Sequence, residues 1–437
     1  MWPYYPDLLA TPVPRYTSFP TAAEFGPGVG ADDFARALEG ADGDISVYVH
    51  IPFCEAICWY CGCNTGKANR GERLASYLEA LHREIALVGE RLPATARVRR
   101  VAFGGGSPNA IRPTDFVRLL LGLTQSLPLA DPVISVELDP RTLDKPWVDA
   151  LAGVGVSRAS LGVQTFDPAL QAAIGREQPA ALIERCTDWL RGAGIASLNF
   201  DLMYGLPGQD EPALLDTLAR TVALAPERVA LFGYAHVPHL IPRQRRIDAT
   251  GLPGTFARFR MAALGQAELV RAGYAGIGFD HFARPDDPLA LAAREGRLHR
   301  NFQGFTDDAA PVLIGFGASA ISSFPELLVQ NEKNGGRYRM MLSQDRLPAM
   351  LGVRRGAEDR RRGAIVESLL CHGAADLGGA PDAETAARLE PLLERGLARI
   401  AGTRLVVTEL GLPYSRVIAA AFDPYRQQSA RRFSSAV

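Results

Sequence analysis

Four cysteines lie within ten residues of one another near the start of the chain: Cys54, Cys58, Cys61 and Cys63. The first three have the spacing C-x-x-x-C-x-x-C, and three close thiolates can hold a four-iron, four-sulfur cluster with one iron left open to a substrate or cofactor. A closed zinc site made by all four cysteines is the competing interpretation. Against zinc, Cys61 and Cys63 are separated by only one residue, and no second C-x-x-C pair or nearby His pair exists.

The residues around this cysteine loop indicate where it lies in the fold. The segment from Tyr48 to Cys54 runs directly from a predicted strand into the loop. Functional sites of parallel sheets and barrels are built at the carboxyl ends of their strands. We therefore expect the thiols at that edge, together with Gly104-Gly105-Gly106-Ser107-Pro108, Glu137, Gln164, Asp201 and Ala235, which occur at or after the ends of the next five predicted strands.

Each of these strand-end residues also has an alternative interpretation. Glycines let backbone groups approach a ligand closely, and Ser107 adds a hydroxyl group, yet a sharp strand-to-helix turn explains the glycine run about as well. Any single polar residue could be a helix cap or a turn residue, and for Asp201 the two interpretations are equally balanced. Their repeated position favours a ring of ligand contacts at one edge.

Strands and helices alternate from Ile45 to about Tyr274, which is typical of a parallel sheet covered by helices. The predicted strands are Ile45–Val49, Val98–Phe103, Val133–Leu138, Arg158–Val163, Ala196–Asp201 and Arg228–Tyr234, with Ala275–Phe279 as a further one. The predicted helices are Arg73–Val88, Thr114–Leu123, Ala180–Leu190, Glu211–Leu224 and Thr255–Ala272. Six strand–helix units predict an α/β fold with an incomplete (β/α)6 barrel.

The two ends of the chain have different patterns. Residues 1–44 are expected to form an extended N-terminal arm interrupted by prolines, and residues 45–326 the barrel. Residues 327–437 predict a small helical, winged-helix-like C-terminal domain, with helices at Arg362–His372 and Ala383–Arg395, a hairpin around Gly402 and a last helix near Leu412–Ala421. Such a domain can bind DNA, but a cover or docking surface is the favoured interpretation here.

Composition narrows the classes of protein. The chain has 437 residues, 47% of them hydrophobic, and a formal net charge of -1. It is therefore long and apolar enough to bury a core, and it has no overall basic field that would attract nucleic acid or a membrane. Six cysteines are too few for a disulfide scaffold, and Cys186 and Cys371 lie among apolar residues that predict burial. Without an apolar run long enough to span a membrane, we expect a cytoplasmic protein.

Taken together, the motifs resemble the radical S-adenosylmethionine superfamily and, within it, the family of oxygen-independent coproporphyrinogen III oxidases. The similarity extends over nearly the whole chain. The residues that carry it are Pro14–Thr21, Tyr48–Cys63, Gly104–Pro108, Ser160–Gln164, Asp201–Pro207, Gly233–His236, Asp280–Asp287 and His299–Gly304. Ser107 departs from the more usual Thr of the family but keeps the hydroxyl group.

The resemblance implies a role for particular residues. Cys54, Cys58 and Cys61 would ligate a [4Fe–4S] cluster, and Cys63 would be a catalytic residue near the cluster without ligating it. The family binds two molecules of S-adenosyl-L-methionine. Contacts to the first are implied for Tyr48, Tyr60, Gly105, Glu137 and Ile321, and contacts to the second for Gly106, Ser107, Gln164, Arg176, Asp201 and Ala235.

The implied reaction is oxidative decarboxylation in haem biosynthesis. An electron delivered to the cluster cleaves S-adenosylmethionine, and the resulting 5'-deoxyadenosyl radical removes hydrogen from propionate groups of coproporphyrinogen III, which become the vinyl groups of protoporphyrinogen IX. The expected partners are this substrate and a reductant protein such as flavodoxin or ferredoxin, and we expect a monomer. A haem chaperone of the same superfamily is the alternative function, and an iron–sulfur electron carrier is a third.

Several further residues of these motifs remain open. His236, His281 and His299 could assist proton transfer or bind propionates, but structural histidines are more common, so none is assigned as catalytic. Arg15, Arg284 and Arg300 could bind substrate carboxylates, although a solvated surface position explains each of them equally well.

Overall fold

The predicted alternation of strands and helices is present in the computed structural model, which describes residues 2–68 and 71–426. The strands are, in chain order, β1 (Asp44–Ile51), β2 (Phe53–Cys54), β3 (Gly66–Lys67), β4 (Arg97–Gly105), β5 (Leu129–Leu138), β6 (Arg158–Gln164), β7 (Ser197–Tyr204), β8 (Arg228–Gly233), β9 (Ala275–Ile277), β10 (His281–Ala283), β11 (His299–Asn301), β12 (Gly304–Thr306), β13 (Val312–Phe316), β14 (Ile321–Phe324), β15 (Leu327–Asn331), β16 (Ala349–Arg354), β17 (Ala374–Asp376), β18 (Ala398–Ala401) and β19 (Arg404–Val407).

The α-helices are, in the same order, α1 (Pro6–Ala10), α2 (Ala31–Glu39), α3 (Gly71–Gly89), α4 (Pro113–Ser126), α5 (Lys145–Gly153), α6 (Pro168–Ala173), α7 (Ala180–Gly192), α8 (Glu211–Leu224), α9 (Thr255–Arg271), α10 (Pro288–Arg294), α11 (Gly335–Leu342), α12 (Ala357–His372), α13 (Ala383–Glu394) and α14 (Ser415–Ala419). All the strands and helices predicted for the middle of the chain are present, and α8 has the predicted bounds. The described residues form two compact units, one of residues 25–201 and 310–355 and the other of residues 2–24, 202–309 and 356–426. We call them the cysteine unit and the C-terminal unit.

The cysteine unit is built on a parallel sheet. Its strand order is β16-β15-β14-β13-β1-β4-β5-β6, followed by the first residues of β7. β1 lies between β13 and β4 and is parallel to both, and β4–β5 and β5–β6 are also parallel pairs. Six of the eight residues of β1 are buried, as expected for a central strand covered on both faces. The parallel pairing brings the carboxyl ends of β1, β4, β5 and β6 to one edge.

Three further strands extend this sheet beyond the predicted units. β14, β15 and β16 pair in antiparallel fashion beside β13. Residues 327–355 therefore contribute strands to the cysteine unit, whereas the winged-helix-like pattern begins with α12. The sequence pattern did not predict β13–β16, because these short apolar runs are not separated by long amphipathic helices. The boundaries at residues 44 and 326 stay a prediction of domain organisation.

The N-terminal arm is not extended throughout, and that expectation is wrong for two segments. Pro6–Ala10 and Ala31–Glu39 are helical. Both helices have an apolar residue that is fully buried, Leu9 in the first and Phe34 in the second. Burial of these side chains stabilises the helices, whereas prolines between them keep the intervening chain irregular.

The C-terminal unit contains the predicted winged-helix-like elements. β17 and β18 pair in antiparallel fashion with β19, and Gly402 lies in the hairpin turn with a φ of +63°. The last predicted helix, however, is only partly an α-helix: a 3-10 helix at Glu409–Tyr414 precedes the short α14, and a 3-10 turn at Ala420–Phe422 follows it. Pro413 explains this difference, because proline cannot supply a backbone donor inside an α-helix.

A buried carboxyl group joins α3 to the sheet of the cysteine unit. Glu84 is fully buried and accepts hydrogen bonds from Tyr338 Oη at 2.5 Å, Gly317 N at 2.7 Å and Asn331 Nδ2 at 2.7 Å. Burial raises the pKa of Glu84 to about 7, although these three donors act in the opposite direction. The folded protein therefore holds the Glu84 proton more tightly than an unfolded chain does.

This raised pKa predicts a pH dependence of stability. Between about pH 4.5 and pH 7 the unfolded chain loses the Glu84 proton while the folded protein keeps it, so stability falls by roughly 3 kcal/mol as pH rises through this window. Glu84→Gln should unfold at a lower temperature, because its amide cannot accept all three hydrogen bonds, and should lose this component of the pH dependence.

Thermal unfolding of both proteins from pH 5 to pH 8 tests the prediction. Glu79→Gln is the matched control, because Glu79 is exposed on the same helix. An unchanged pH profile in Glu84→Gln would contradict the assignment.

Candidate functional site

The cysteine loop is closed at its base by two short strands. β2 and β3 pair in parallel, with Phe53 opposite Gly66 and Cys54 opposite Lys67. Backbone hydrogen bonds from Gly66 to Pro52 (2.9 Å) and from Ala68 to Cys54 (3.0 Å) fix the two ends of the loop together. The loop therefore leaves the carboxyl end of β1 and returns to it, which is the position predicted from the sequence.

The glycine run at the end of β4 packs directly against this base. Gly106 N donates to Ile51 O at 2.9 Å, and Ser107 N donates to Phe53 O at 2.8 Å. A Cβ atom on Gly106 would lie 2.5 Å from Phe53 O, and one on Gly104 would lie 2.7 Å from the Glu137 carboxyl group. Gly105 has a φ of +113°. Gly104 and Gly106 have no room for a side chain, and Gly105 has a backbone conformation that favours glycine.

Cys58 is the best-anchored thiol of the loop. Its sulfur accepts from Arg176 Nη1 at 3.2 Å and from Arg141 Nη2 at 3.3 Å. Asp139 pairs with both guanidinium groups, at 3.2 Å with Arg176 and 2.6 Å with Arg141. These two cations hold the pKa of Asp139 below its usual value even though burial acts against ionisation. The result is a buried network that fixes Cys58 to the carboxyl edge of the sheet.

The loop also contacts the segment that carries Arg176. Trp59 N donates to Ile174 O at 3.0 Å, and a Cβ atom on Gly175 would lie 2.7 Å from the Trp59 ring. Gly175 has a φ of +64°, which a side chain would strain. This close packing places the Arg176 side chain beside Cys58.

The three thiols assigned to the cluster all accept hydrogen bonds. In addition to the two bonds to Cys58, Thr65 Oγ1 donates to Cys54 Sγ at 3.3 Å and Cys63 N donates to Cys61 Sγ at 3.4 Å. Hydrogen bonds to cysteine sulfur are one means by which proteins set the reduction potential of iron–sulfur clusters. The donor pattern therefore fits a [4Fe–4S] cluster on Cys54, Cys58 and Cys61.

The arrangement of these side chains differs from that of a site for a single metal ion. Within residues 2–68 and 71–426 no group of three or more His, Cys, Asp or Glu side chains is placed to hold one metal ion. A [4Fe–4S] cluster does not require such convergence, because each of its three thiolates binds a different iron. Burial raises the pKa of Cys54 to about 11, so iron binding there must displace a proton.

Cys63 differs from the other three cysteines of the loop. It is exposed to solvent, and a hydrogen bond with the Cys61 thiol is the first cause of its raised pKa. Its backbone N–H donates to Cys61, so its position is tied to a predicted ligand. The structure thus places Cys63 beside the cluster loop, and its catalytic role stays a prediction.

The residues predicted to contact the first S-adenosylmethionine all belong to the cysteine unit, and several of them are neighbours. Glu137 Oε2 accepts from Gly105 N at 3.2 Å. Tyr48 is opposite Gly315 in the β1–β13 register, and a Cβ atom on Gly315 would lie 2.5 Å from Ile321 O. Strand pairing thus places Ile321, which is distant in sequence, on the other side of Gly315 from Tyr48.

Three titratable groups of this set, one carboxyl and two phenols, have raised pKa values. Although solvent reaches Glu137 at the open end of the site, the surrounding protein and then Asp201 raise its pKa to about 7. Burial raises the pKa of Tyr60 and Tyr48 well above 10, so both phenols are neutral at pH 7. Neutral hydroxyl groups and a carboxyl that can exchange a proton suit contacts to an amino group or a ribose.

The residues predicted to contact the second S-adenosylmethionine are divided between the two units. Asp201 accepts from Ser160 Oγ at 3.0 Å and Asn199 Nδ2 at 2.8 Å, and it lies within β7 because apolar residues continue the strand beyond it. Gln164 is buried at the end of β6 with a φ of +65°.

The two remaining contacts of this set are a hydroxyl group and a backbone position. Ser107 Oγ donates to Asn109 Oδ1 at 2.5 Å. Ala235 belongs to the C-terminal unit, where its carbonyl accepts from Gln244 Nε2 at 3.0 Å.

Sequence reasoning missed several residues that position the site. Asp139 directly follows β5, so the strand-end rule that selected Glu137 could have selected it as well. Arg141, Thr65 and His50 carried no such signal. Burial lowers the pKa of His50 to about 4, so this side chain is neutral, and its Nδ1 lies 3.0 Å from Tyr48 Oη. These contacts depend on residues that only the folded chain brings together.

Comparison with known proteins provides independent information on this chain. Residues 48–220 match the model of the Radical SAM superfamily. The oxygen-independent coproporphyrinogen III oxidase of Bradyrhizobium diazoefficiens is 44% identical over 97% of this chain and 97% of its own length. The enzyme of the same name from Escherichia coli K12 is 36% identical over 96% of this chain and 94% of its own length.

A solved structure is similar over the same extent. Coproporphyrinogen III oxidase from Escherichia coli, described as a radical SAM enzyme, has a TM-score of 0.90 and 35% sequence identity, and the match covers 94% of this chain and 97% of the other. This likeness confirms the predicted α/β fold class with its incomplete radical SAM barrel. The superfamily match and this structure also support the predicted [4Fe–4S] cluster and S-adenosylmethionine as cofactors.

The glycine contacts predict the effect of a single methyl group. Gly106→Ala should displace Phe53 or Thr65, because its Cβ would lie 2.5 Å from Phe53 O and 2.7 Å from Thr65 Oγ1. Overpacking of this kind costs about 1–3 kcal/mol. We expect a reduced iron content after anaerobic reconstitution, measured per chain and by visible absorbance. Gly153→Ala is the control, since a Cβ there meets no atom within 4 Å; equal iron content in the two variants would contradict the prediction.

Proposed function

Because the chain belongs to the family of oxygen-independent coproporphyrinogen III oxidases in the radical SAM superfamily, we propose that it decarboxylates two propionate groups of coproporphyrinogen III to vinyl groups. The product of this oxidation is protoporphyrinogen IX, an intermediate of haem biosynthesis. The observation that carries the proposal is the cysteine loop, in which three thiols each accept a hydrogen bond while a fourth remains beside them. A four-iron cluster bound by three thiols would have one iron without a protein ligand, and S-adenosylmethionine would bind there.

The reaction balances as an oxidation of the propionate arm. When bound, the cluster and S-adenosylmethionine supply the one-electron chemistry that removes a hydrogen atom from the β-carbon. Loss of carbon dioxide then breaks the bond to the carboxylate and forms the vinyl double bond. One electron per propionate passes to an acceptor outside the chain, which we propose is a one-electron carrier.

The chain's own residues bind and position the reacting groups. The glycine run of β4 lets the base of the cysteine loop pack against its backbone, and Arg176, Arg141 and Asp139 keep Cys58 fixed at the sheet edge. The Glu137 carboxyl group, next to Gly105 N, is available to accept a hydrogen bond from an amino or hydroxyl group.

The roles of individual residues belong to the same proposal. We assign Cys54, Cys58 and Cys61 as cluster ligands and keep Cys63 as a catalytic non-ligand. Two S-adenosylmethionine molecules are proposed with the contacts predicted above. The Nη2 atom of Arg176 already donates to Asp139 and to Gly162 O. Its proposed contact with S-adenosylmethionine must therefore use another N–H group of the guanidinium.

The cellular setting is likewise a proposal. A flavodoxin or ferredoxin would deliver the electron, and the protein would act as a monomer in the cytoplasm. Across residues 2–68 and 71–426 the structure has no helix with the length and hydropathy needed to cross a membrane. Neutral net charge also gives no overall attraction to nucleic acid or lipid.

Anaerobic reconstitution tests the reaction directly. The protein with iron, sulfide, S-adenosylmethionine and a reductant should convert coproporphyrinogen III into the divinyl product, with release of 5'-deoxyadenosine and carbon dioxide in proportion to the vinyl groups formed. Binding and transfer of haem without carbon dioxide release would instead support a chaperone. An assay without S-adenosylmethionine is the control.

The cysteine assignments predict that four single variants differ in cluster content and in turnover. Cys54→Ser, Cys58→Ser and Cys61→Ser should each lose the cluster, since each removes a ligand, and product formation should cease. Cys63→Ser should retain iron and sulfide but lose turnover. Iron and sulfide content with visible spectroscopy distinguishes these cases, and Cys371→Ala, outside the loop, is the control. A Cys63→Ser variant without a cluster would refute its assignment as a non-ligand.

A further inference from the structure

A recess in the C-terminal unit has a lining that is both apolar and positively charged. Its apolar wall includes Trp2, Leu231, Phe259, Phe279 and Phe282. Its charged groups are the guanidinium groups of Arg15, Arg258 and Arg416 and the carboxyl group of Asp280. All these residues belong to the C-terminal unit, so the recess is formed within one compact body.

The Asp280 carboxyl group in this lining already has hydrogen-bond partners within the protein. Asp280 Oδ1 lies 2.6 Å from His281 Nδ1, and Asp280 Oδ2 accepts from Arg15 Nη1 at 3.3 Å. Burial acts against its charge, but His281, Arg300 and Arg15 lower the pKa of Asp280 to about 2. Asp280 is therefore an anion at pH 7, and by formal charge it balances one of the three arginines that line the recess.

All three arginines lie close enough to Tyr204, another residue of the lining, for their charges to affect its pKa. Burial raises the pKa of Tyr204, which lines the recess, while the charges of the three arginines oppose that increase. Arg258 Nη2 donates to Tyr234 O at 2.7 Å, and its Nε is buried without a hydrogen-bond partner. Arginine is an effective carboxylate binder because its planar group donates two parallel hydrogen bonds.

Arg416 is held in surroundings that disfavour its charge. Its side chain lies over the Phe279 ring, with the guanidinium carbon 5.4 Å from the ring centre. Burial, and next to it the positive charge of Arg15, lower the pKa of Arg416 to about 10. The group still ionises at pH 7, and a bound anion would relieve this unfavourable environment.

We propose that this recess binds a propionate carboxylate of the tetrapyrrole substrate, with the arginines holding the carboxylate and the aromatic wall contacting the adjoining pyrrole. The inference rests on the proposed function for the identity of the ligand. A tetrapyrrole with propionate arms has the two chemical properties that the lining matches, an apolar ring system and several negative charges. These residues would select substrate by its carboxylates, including those of propionates that do not react.

S-adenosylmethionine is the other source of a carboxylate, and Ala235, a predicted contact to it, lines the same recess. The methionyl group carries an ammonium beside its carboxylate, so three arginines with one engaged acid suit it less well than a simple carboxylate. The proposal therefore commits to the propionate, and the affinity for S-adenosylmethionine becomes a measurement that can overturn it.

The first test replaces Arg416 with methionine, which keeps an unbranched apolar stem and removes the charge. Binding of coproporphyrin III, the fluorescent oxidised form of the substrate, should weaken by about 10- to 100-fold, the loss expected for one hydrogen bond to a charged group. The KM for coproporphyrinogen III should rise by a similar factor with a smaller change in kcat. Arg416→Lys should recover part of the affinity, because it restores the charge without the planar donor pair.

Three controls keep the result interpretable. The melting temperature of Arg416→Met should be unchanged or higher, since the variant removes a charge that its environment disfavours. Arg271→Met, on the exposed face of α9, should behave like the parent protein. Coproporphyrin III tetramethyl ester, which lacks the charges, should bind the parent and Arg416→Met with equal affinity.

The possible outcomes separate this inference from the proposed function. Unchanged coproporphyrin III binding in Arg416→Met would overturn the recess assignment, as would weaker S-adenosylmethionine binding or an equal loss of affinity for the ester. If the parent protein binds coproporphyrin III through Arg416 but forms no vinyl product, the proposed reaction fails and the carboxylate site remains.

Discussion

The site depends on one buried charge arrangement, in which Arg176 and Arg141 both donate to the Cys58 sulfur and both pair with Asp139. A buried ion pair contributes little net stability, but removal of one partner leaves an uncompensated charge and costs about 3–5 kcal/mol. The network is therefore expensive to disturb. It joins the end of β5, the segment after α6 and the middle of the cysteine loop at one fixed point.

Close backbone packing supplies the second constraint on the loop. Gly106 allows the end of β4 to contact Phe53 O and Thr65, and Gly175 accommodates the Trp59 ring. Charge thus fixes Cys58, while glycine positions fix the base and the outer part of the loop. Both kinds of contact hold the loop in place, since exposed loops without such contacts are mobile.

The C-terminal unit uses charge differently. In the cysteine unit, Asp139 is shared by Arg141 and Arg176, and both guanidinium groups also donate to the Cys58 sulfur. The recess of the C-terminal unit has three arginines and one acid in its lining, and Arg416 is ionised in an environment that lowers its pKa. Charged groups with shifted pKa values are common at binding and catalytic sites. The first arrangement holds a cysteine in position, and the second lines the recess that we propose binds a ligand.

The sequence by itself determined the order of elements, the fold class and the cluster motif. These follow from local signals: the spacing of Cys54, Cys58 and Cys61, the apolar periodicity of the strands and helices, and the residues at strand ends. It did not reveal β13 beside β1, the helices of the arm, or the pairing of Asp139 with Arg176 and Arg141. Only the tertiary structure decided these features, because strand neighbours and charge partners are set by chain segments that are distant in sequence and meet when the core is packed.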